Sequence, residues 1–402
     1  MTPEHKAIAG VPQFKNLSTC VKCILISGCC CLLVPLLGFL VLVVLVKMGS
    51  ASSQMYPNAT EWPVTNDEGL YMAYQDGGKW VNWWARDRPG VFSFFTKVAA
   101  ITDMSNIPES TEALNEALPV REPYWIREPD RFGRPGIRAT WLGHASVLAE
   151  VDGVSILADP IFSERASLFQ WAGPKRYRPP ACTVSELPES LDAVVISHSH
   201  YDHLDYNSCM DLQRRYGDRL HWFVPSGIGG FLRDSIGVSA AQVHDMVWWE
   251  EETLPGTNVT VAFTPNNHWS RRGLMDENDD LWGSWSVLGP QNKFWFGGDT
   301  GYCDGFVQIG RKYGPFDLSA IPIGAYYPRW FMKWVHVDPS EAIMVHKDLM
   351  SKKSLGIHWG TFKLTKEYYL EPREAIQELA REDPLVGADA FQTVNIGETL
   401  EA

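Results

Sequence analysis

Residues 196–205 read ISHSHYDHLD and stand directly behind the apolar run LDAVVIS. The β-branched residues Val194, Val195 and Ile196 predict a buried strand, so His198, His200, Asp202, His203 and Asp205 crowd its C-terminal mouth. Alternate positions of an extended segment face the same way. The HxHxDH spacing therefore aims imidazoles and a carboxylate at one point, the donor set of zinc or a similar borderline metal. One loop cannot close two coordination shells, and the chain offers further donors in equivalent places. His268 after VTVAFTPNN, Asp299 after KFWFGG and His358 after SLGI each follow an apolar strand.

The strand pattern is regular from residue 137 onward. IRATWLG, SVLAEV and VSILADP predict an antiparallel meander, followed by LDAVVIS, a helix around Ser208 to Tyr216, and HWFVPSG. A second series, VTVAFTP, WGSWSVL, KFWFGGD, LSAIPIG and SLGIHWG, repeats the strand-rich character without a repeat visible in the letters. Two β-rich halves with interspersed helices predict an α+β fold of two packed sheets covered by helices.

The N-terminal part is different. From Cys23 to Val46 the chain carries no charge, and Lys22 and Lys47 bracket the run. Such a length crosses a hydrocarbon core of about 30 Å as a helix, whereas a signal-peptide core is about 7–15 residues long. Pro35 is tolerable in such a span. The expectation is a tail over 1–22, a transmembrane helix over 23–46, an aromatic-rich extension over 47–135 packing on the core, and a catalytic domain over 136–402. Lys6, Lys15 and Lys22 against Glu4 place the N-terminus on the cytoplasmic side by the positive-inside rule. Asn58 and Asn258 head formal glycosylation sequons. Of eight cysteines, Cys20, Cys23, Cys29, Cys30 and Cys31 lie in or beside the apolar run. Palmitoylation and simple helix packing both suit them. Cys182, Cys209 and Cys303 are too few for a disulfide framework. The formal net charge of -13 and the lack of a basic block exclude nucleic acid as the main partner.

The segments TWLGHASVL, ISHSHYDHLD, FWFGGDTGYC, IPIGAYYPRWFMKWVHVDP and IHWGTF resemble the N-acyl-phosphatidylethanolamine-hydrolysing phospholipase D family, within the metallo-β-lactamase superfamily. The resemblance spans roughly residues 60–395 and implies an αββα four-layer sandwich with two zinc ions at one edge. It implies His198, His200 and His268 on one metal, Asp202, His203 and His358 on the other, and Asp299 bridging them with a water. It further implies substrate contacts at Tyr201 and His336, with His336 either protonating the leaving alkoxide or binding phosphate. The implied reaction releases N-acylethanolamine and phosphatidic acid by attack on phosphorus. A phospholipid substrate in a bilayer, a homodimer and a bile-acid ligand near the site are implied as partners. The apolar helix departs from the family's peripheral members and would make this chain a single-pass protein of the endomembrane system.

Other residues carry alternatives. His144 is expected to hydrogen-bond within a turn near the site, and His221, His244 and His346 to serve ordinary structural roles. Asp205 either orients a ligand histidine or caps the following helix. Arg271 and Arg272 are either anion contacts or a solvated basic pair. Cys303 is expected to be a packed thiol. A lactonase or soluble phosphodiesterase on the same fold would keep every ligand, and a silent lipid-binding protein is the rival from another class.

Overall fold

The computed structural model describes residues 63–85, 88, 89 and 101–402. Apart from Pro89 they belong to one compact unit, Asn58–Arg88 with Ala100–Ala402, and the following concerns that unit. The expected transmembrane span 23–46, the cysteines within it and Asn58 lie outside the described residues. Among the described residues no helix is long and apolar enough to cross a membrane.

After a two-residue hairpin, β1 (Gln75–Asp76) and β2 (Lys79–Trp80), the strands form two seven-stranded sheets. The first contains β3 (Ile137–Gly143), β4 (Ser146–Val151), β5 (Val154–Ala158), β6 (Ala193–Val195), β7 (His221–Pro225) and β8 (Val243–Met246) in sequence order. The C-terminal β16 (Thr399–Glu401) pairs with β3 at its edge. The second runs β9 (Glu251–Thr253), β10 (Thr260–Thr264), β11 (Ser284–Leu288), β12 (Lys293–Phe296), β13 (Leu318–Pro322), β14 (Lys353–Ile357) and β15 (Phe391–Gln392).

Counted from β16 and from β9, each sheet has three antiparallel pairings followed by three parallel ones. The two sheets thus share one pattern of pairing, with the C-terminal β16 in the first taking the place of β9 in the second, although no letter repeat betrays it. Strand pairing constrains backbone and burial, not residue identity.

The period-2 alternation of each strand explains the layers. In the first sheet Ala139, Trp141, Val147, Ala149, Ile156 and Val195 join the large core that also holds Phe263, Trp285, Trp295 and Phe296 of the second. The intervening Leu142, Leu148, Leu157, Val194 and Trp222 form a separate cluster with Cys209 and Leu212 of helix α1 (Tyr206–Tyr216). Helices α2 (Gly305–Tyr313), α3 (Pro339–Asp348) and α4 (Glu371–Glu382) contribute Phe306, Ile309, Ala342, Ile376 and Ala380 to the large core. Trp80 and Trp83 of the N-terminal extension belong to that core too, with Trp84 packed against it.

Asp205 caps α1, its side chain accepting from Ser208 N, and also accepts from Ser163. Capping, not ligand orientation, is its role. His221 and His244 face each other at 3.0 Å, and His244 reaches Glu252 at 2.7 Å. Asn258 is exposed between β9 and β10, and Cys303 is a buried thiol whose pKa burial pushes well up.

His346 of α3 pairs with Ser354 of β14 through Nδ1 and Oγ at 2.7 Å. Burial and then neighbouring Lys347 hold its pKa down to about 4. The unfolded chain therefore binds a proton here that the folded chain refuses, so stability falls as pH drops from about 6.5 towards 4. At pH 5 the loss amounts to about 2 kcal/mol. In urea titrations at pH 7 and pH 5, His346→Asn is expected to narrow the gap between the two midpoints. An unchanged gap would show that this residue does not drive the acid sensitivity.

Candidate metal centre

The ends of strands from both sheets meet at one edge. The β6 loop supplies His198, His200, Asp202 and His203; His268 follows β10, Asp299 follows β12, and His358 follows β14 immediately. Two contacts root the first loop on the second sheet: Trp285 Nε1 donates to Ile196 O at 2.8 Å, and Gly283 N donates to Ser197 O at 3.0 Å. Gly298, at φ +58, presses so close that a Cβ there would stand 2.3 Å from Ser197 Cβ. Only glycine lets the β12 turn bring Asp299 this far in.

The donors fall into two sets. His198, His200 and His268 converge, with His198 Nε2 2.8 Å from His200 Nδ1 and His268 Nε2 3.3 Å from the same atom. Asp202, His203 and His358 form the second set, joined by His144. Asp299 lies between the two. Its Oδ2 is 3.1 Å from His203 Nε2, 3.9 Å from His198 Nε2 and 3.8 Å from His268 Nε2, and its Oδ1 is 2.8 Å from His358 Nε2. His336 also reaches the Asp299 and His358 pair.

Second partners fix the rings. His203 Nδ1 meets Asp159 at 2.6 Å and His268 Nδ1 meets Val335 O at 2.9 Å, so each turns Nε2 to the centre. Asp159, which closes the strand VSILADP, escapes sequence reasoning; its one signal is a place at a strand end, like that of Asp299. Asn82 escapes it as well. From the N-terminal extension it donates to His268 O at 2.6 Å, and nothing in its surroundings marks it in the sequence.

The expectations for His144, Arg271 and Arg272 are corrected. The side chain of His144 leaves its turn and reaches Asp202 Oδ2 at 2.9 Å. Arg272 is neither an anion contact nor a solvated cation: it is half-buried and donates to Ser199 O and Leu204 O, each at 2.8 Å, because the metal loop's carbonyls need donors. Arg271 donates to Gly273 O and Leu274 O of its own loop. Tyr201 donates its hydroxyl to Arg272 O at 2.8 Å, and its ring lies 4.3 Å from the Arg272 guanidinium.

The centre fits a cation. His203 Nε2, Asp299 Oδ1, His336 Nδ1 and His358 Nε2 are buried without an aligned hydrogen-bond partner. Burial opposes charge on Asp299 and Asp202, yet the facing histidines, His203 foremost, hold both carboxyls well below their usual range. Burial likewise opposes protonation of His203 and His358. The facing carboxylates outweigh it, raising His203 well above its ordinary value and His358 to about 9. Burial keeps His200 and His336 down at about 4.

Likeness to known proteins now decides the family. Residues 155–359 match the beta-lactamase superfamily domain. The N-acyl-phosphatidylethanolamine-hydrolyzing phospholipase D 1 of Caenorhabditis elegans is 42% identical over 85% of this chain and 98% of its own. The chain belongs to this phospholipase D family. It is a metal-dependent hydrolase of the metallo-β-lactamase fold. A Saccharomyces cerevisiae family member, named as mitochondrial, is 31% identical over 72% of this chain and 68% of its own. For the fold alone, the isothiocyanate hydrolase from Delia radicum gut bacteria superposes with a TM-score of 0.53 at 17% identity, covering 66% of this chain and 99% of that one.

The carboxylates that face His203 and His358 favour a proton on this donor set, which a metal would have to displace. Calorimetry of zinc binding in buffers of different ionisation enthalpy is expected to show release of at least about one proton, with affinity falling about tenfold per pH unit on acidification. Heats independent of the buffer would contradict this.

Proposed function

We propose that the chain is a zinc-dependent phosphodiesterase that hydrolyses N-acyl-phosphatidylethanolamine to N-acylethanolamine and phosphatidic acid. The observation that carries this reading is the pair of donor sets joined by Asp299 in a chain so similar to a phospholipase D along nearly that enzyme's whole length. His198, His200 and His268 would hold one zinc, and Asp202, His203 and His358 the other, with Asp299 shared. Zinc bound there supplies Lewis acidity towards phosphoryl oxygens and lowers the pKa of water to about 7.

The chain's own residues do the rest. Asp299 fixes the spacing of the two sets. His336, whose Nδ1 is buried and free of a hydrogen-bond partner, would either bind the phosphate or protonate the leaving alkoxide. Tyr201, half-buried in the metal loop, is the other substrate contact in this reading. The apolar run 23–46 would anchor the enzyme beside a bilayer substrate and raise the local encounter concentration.

The test is mass-spectrometric product analysis of the zinc-loaded full chain with N-acyl-phosphatidylethanolamine in mixed micelles, beside Asp299→Asn. Phosphatidic acid and N-acylethanolamine are expected, with turnover reduced at least about 100-fold in the variant. Diacylglycerol with a phosphorylated headgroup would refute the bond assignment. No turnover with zinc bound would refute the substrate.

A further inference from the structure

His144 occupies the turn between β3 and β4, buried and at φ +52. Its backbone is held from three sides: its N–H donates to Thr361 Oγ1 at 2.8 Å, and its carbonyl accepts from Trp141 Nε1 at 2.7 Å and from His358 N at 2.9 Å. The ring packs on His358 with centroids 4.1 Å apart and meets Phe362 edge-on at 5.0 Å. This fixed ring places Nε2 2.9 Å from Asp202 Oδ2. The same oxygen is 3.5 Å from His203 Nε2 and 3.7 Å from His358 Nε2. Oδ2 is therefore the oxygen that faces the second donor set.

An ionised carboxylate only accepts hydrogen bonds, so Nε2 of His144 carries the proton. A protonated ring nitrogen has no lone pair for a metal. We infer that His144 is a positioning residue for the second metal set, holding Asp202 by a hydrogen bond to its ligating oxygen rather than binding metal itself. This inference rests on the two-metal reading above. It also explains why a non-glycine residue is kept at a left-handed φ, a strain that recurs at Asp159 (φ 39) and His358 (φ 63) beside the same centre.

Two substitutions separate the roles. His144→Asn suits the left-handed backbone but is too short to reach Asp202, whereas His144→Gln can return an N–H donor near the position of Nε2. The full chain is titrated with zinc against a chromophoric chelator, with thermal melting to verify the fold. Wild type is expected to hold two zinc ions. His144→Asn should weaken the second about 10- to 100-fold and leave the first unchanged, while His144→Gln stays within about threefold of wild type.

Unchanged affinity in His144→Asn would overturn the positioning role. Equal losses in both variants would overturn the donor assignment and make the imidazole itself the requirement. Fewer than two zinc ions in wild type would instead overturn the two-metal reading, and this inference with it.

Discussion

Asp299 is a buried carboxylate placed between imidazoles from both sheets, with His203 Nε2 at 3.1 Å on one side and His358 Nε2 at 2.8 Å on the other. Leaving such a charge in a low-dielectric interior is costly unless it is compensated. The compensation here comes from loops that begin on different sheets, so the site exists only when the sheets are packed in register. The closeness of Gly298 to Ser197 and the bond from Trp285 to Ile196 O make that dependence concrete. The core packing and the metal centre are one construction.

The shared pairing pattern gives this arrangement a further logic. Asp159 follows β5 and Asp299 follows β12, the strands where each sheet changes from antiparallel to parallel pairing. One carboxylate is the orienting partner of His203 and the other the link between donor sets. The same strand-end position serves two electrostatic purposes: Asp159 meets Nδ1 of His203, whereas Asp299 meets Nε2 of both His203 and His358.

The set of candidate metal donors is legible in the sequence because metal chemistry restricts residue type and strands restrict direction. HxHxDH behind Val194–Ile196 and three later donors at strand ends are enough to predict it. What stays hidden involves partners far apart in the chain. Asn82 and His268 are separated by a whole sheet, and His144 reaches Asp202 across 58 positions. Arg271 and Arg272 look like anion contacts because charge is visible in a sequence, while the carbonyls that engage them are not.

By itself, the sequence determined the strand series, the polar strand mouths, the donor residues and an apolar run long enough to cross a bilayer, since these depend on local periodicity and residue chemistry. Only the tertiary structure decided which imidazole nitrogen faces the centre, which side chains orient the ligands and how two sheets with one pattern of pairing share a core. Those outcomes depend on distances between residues remote in the chain, and hydrogen bonding and close packing fix such distances only after folding.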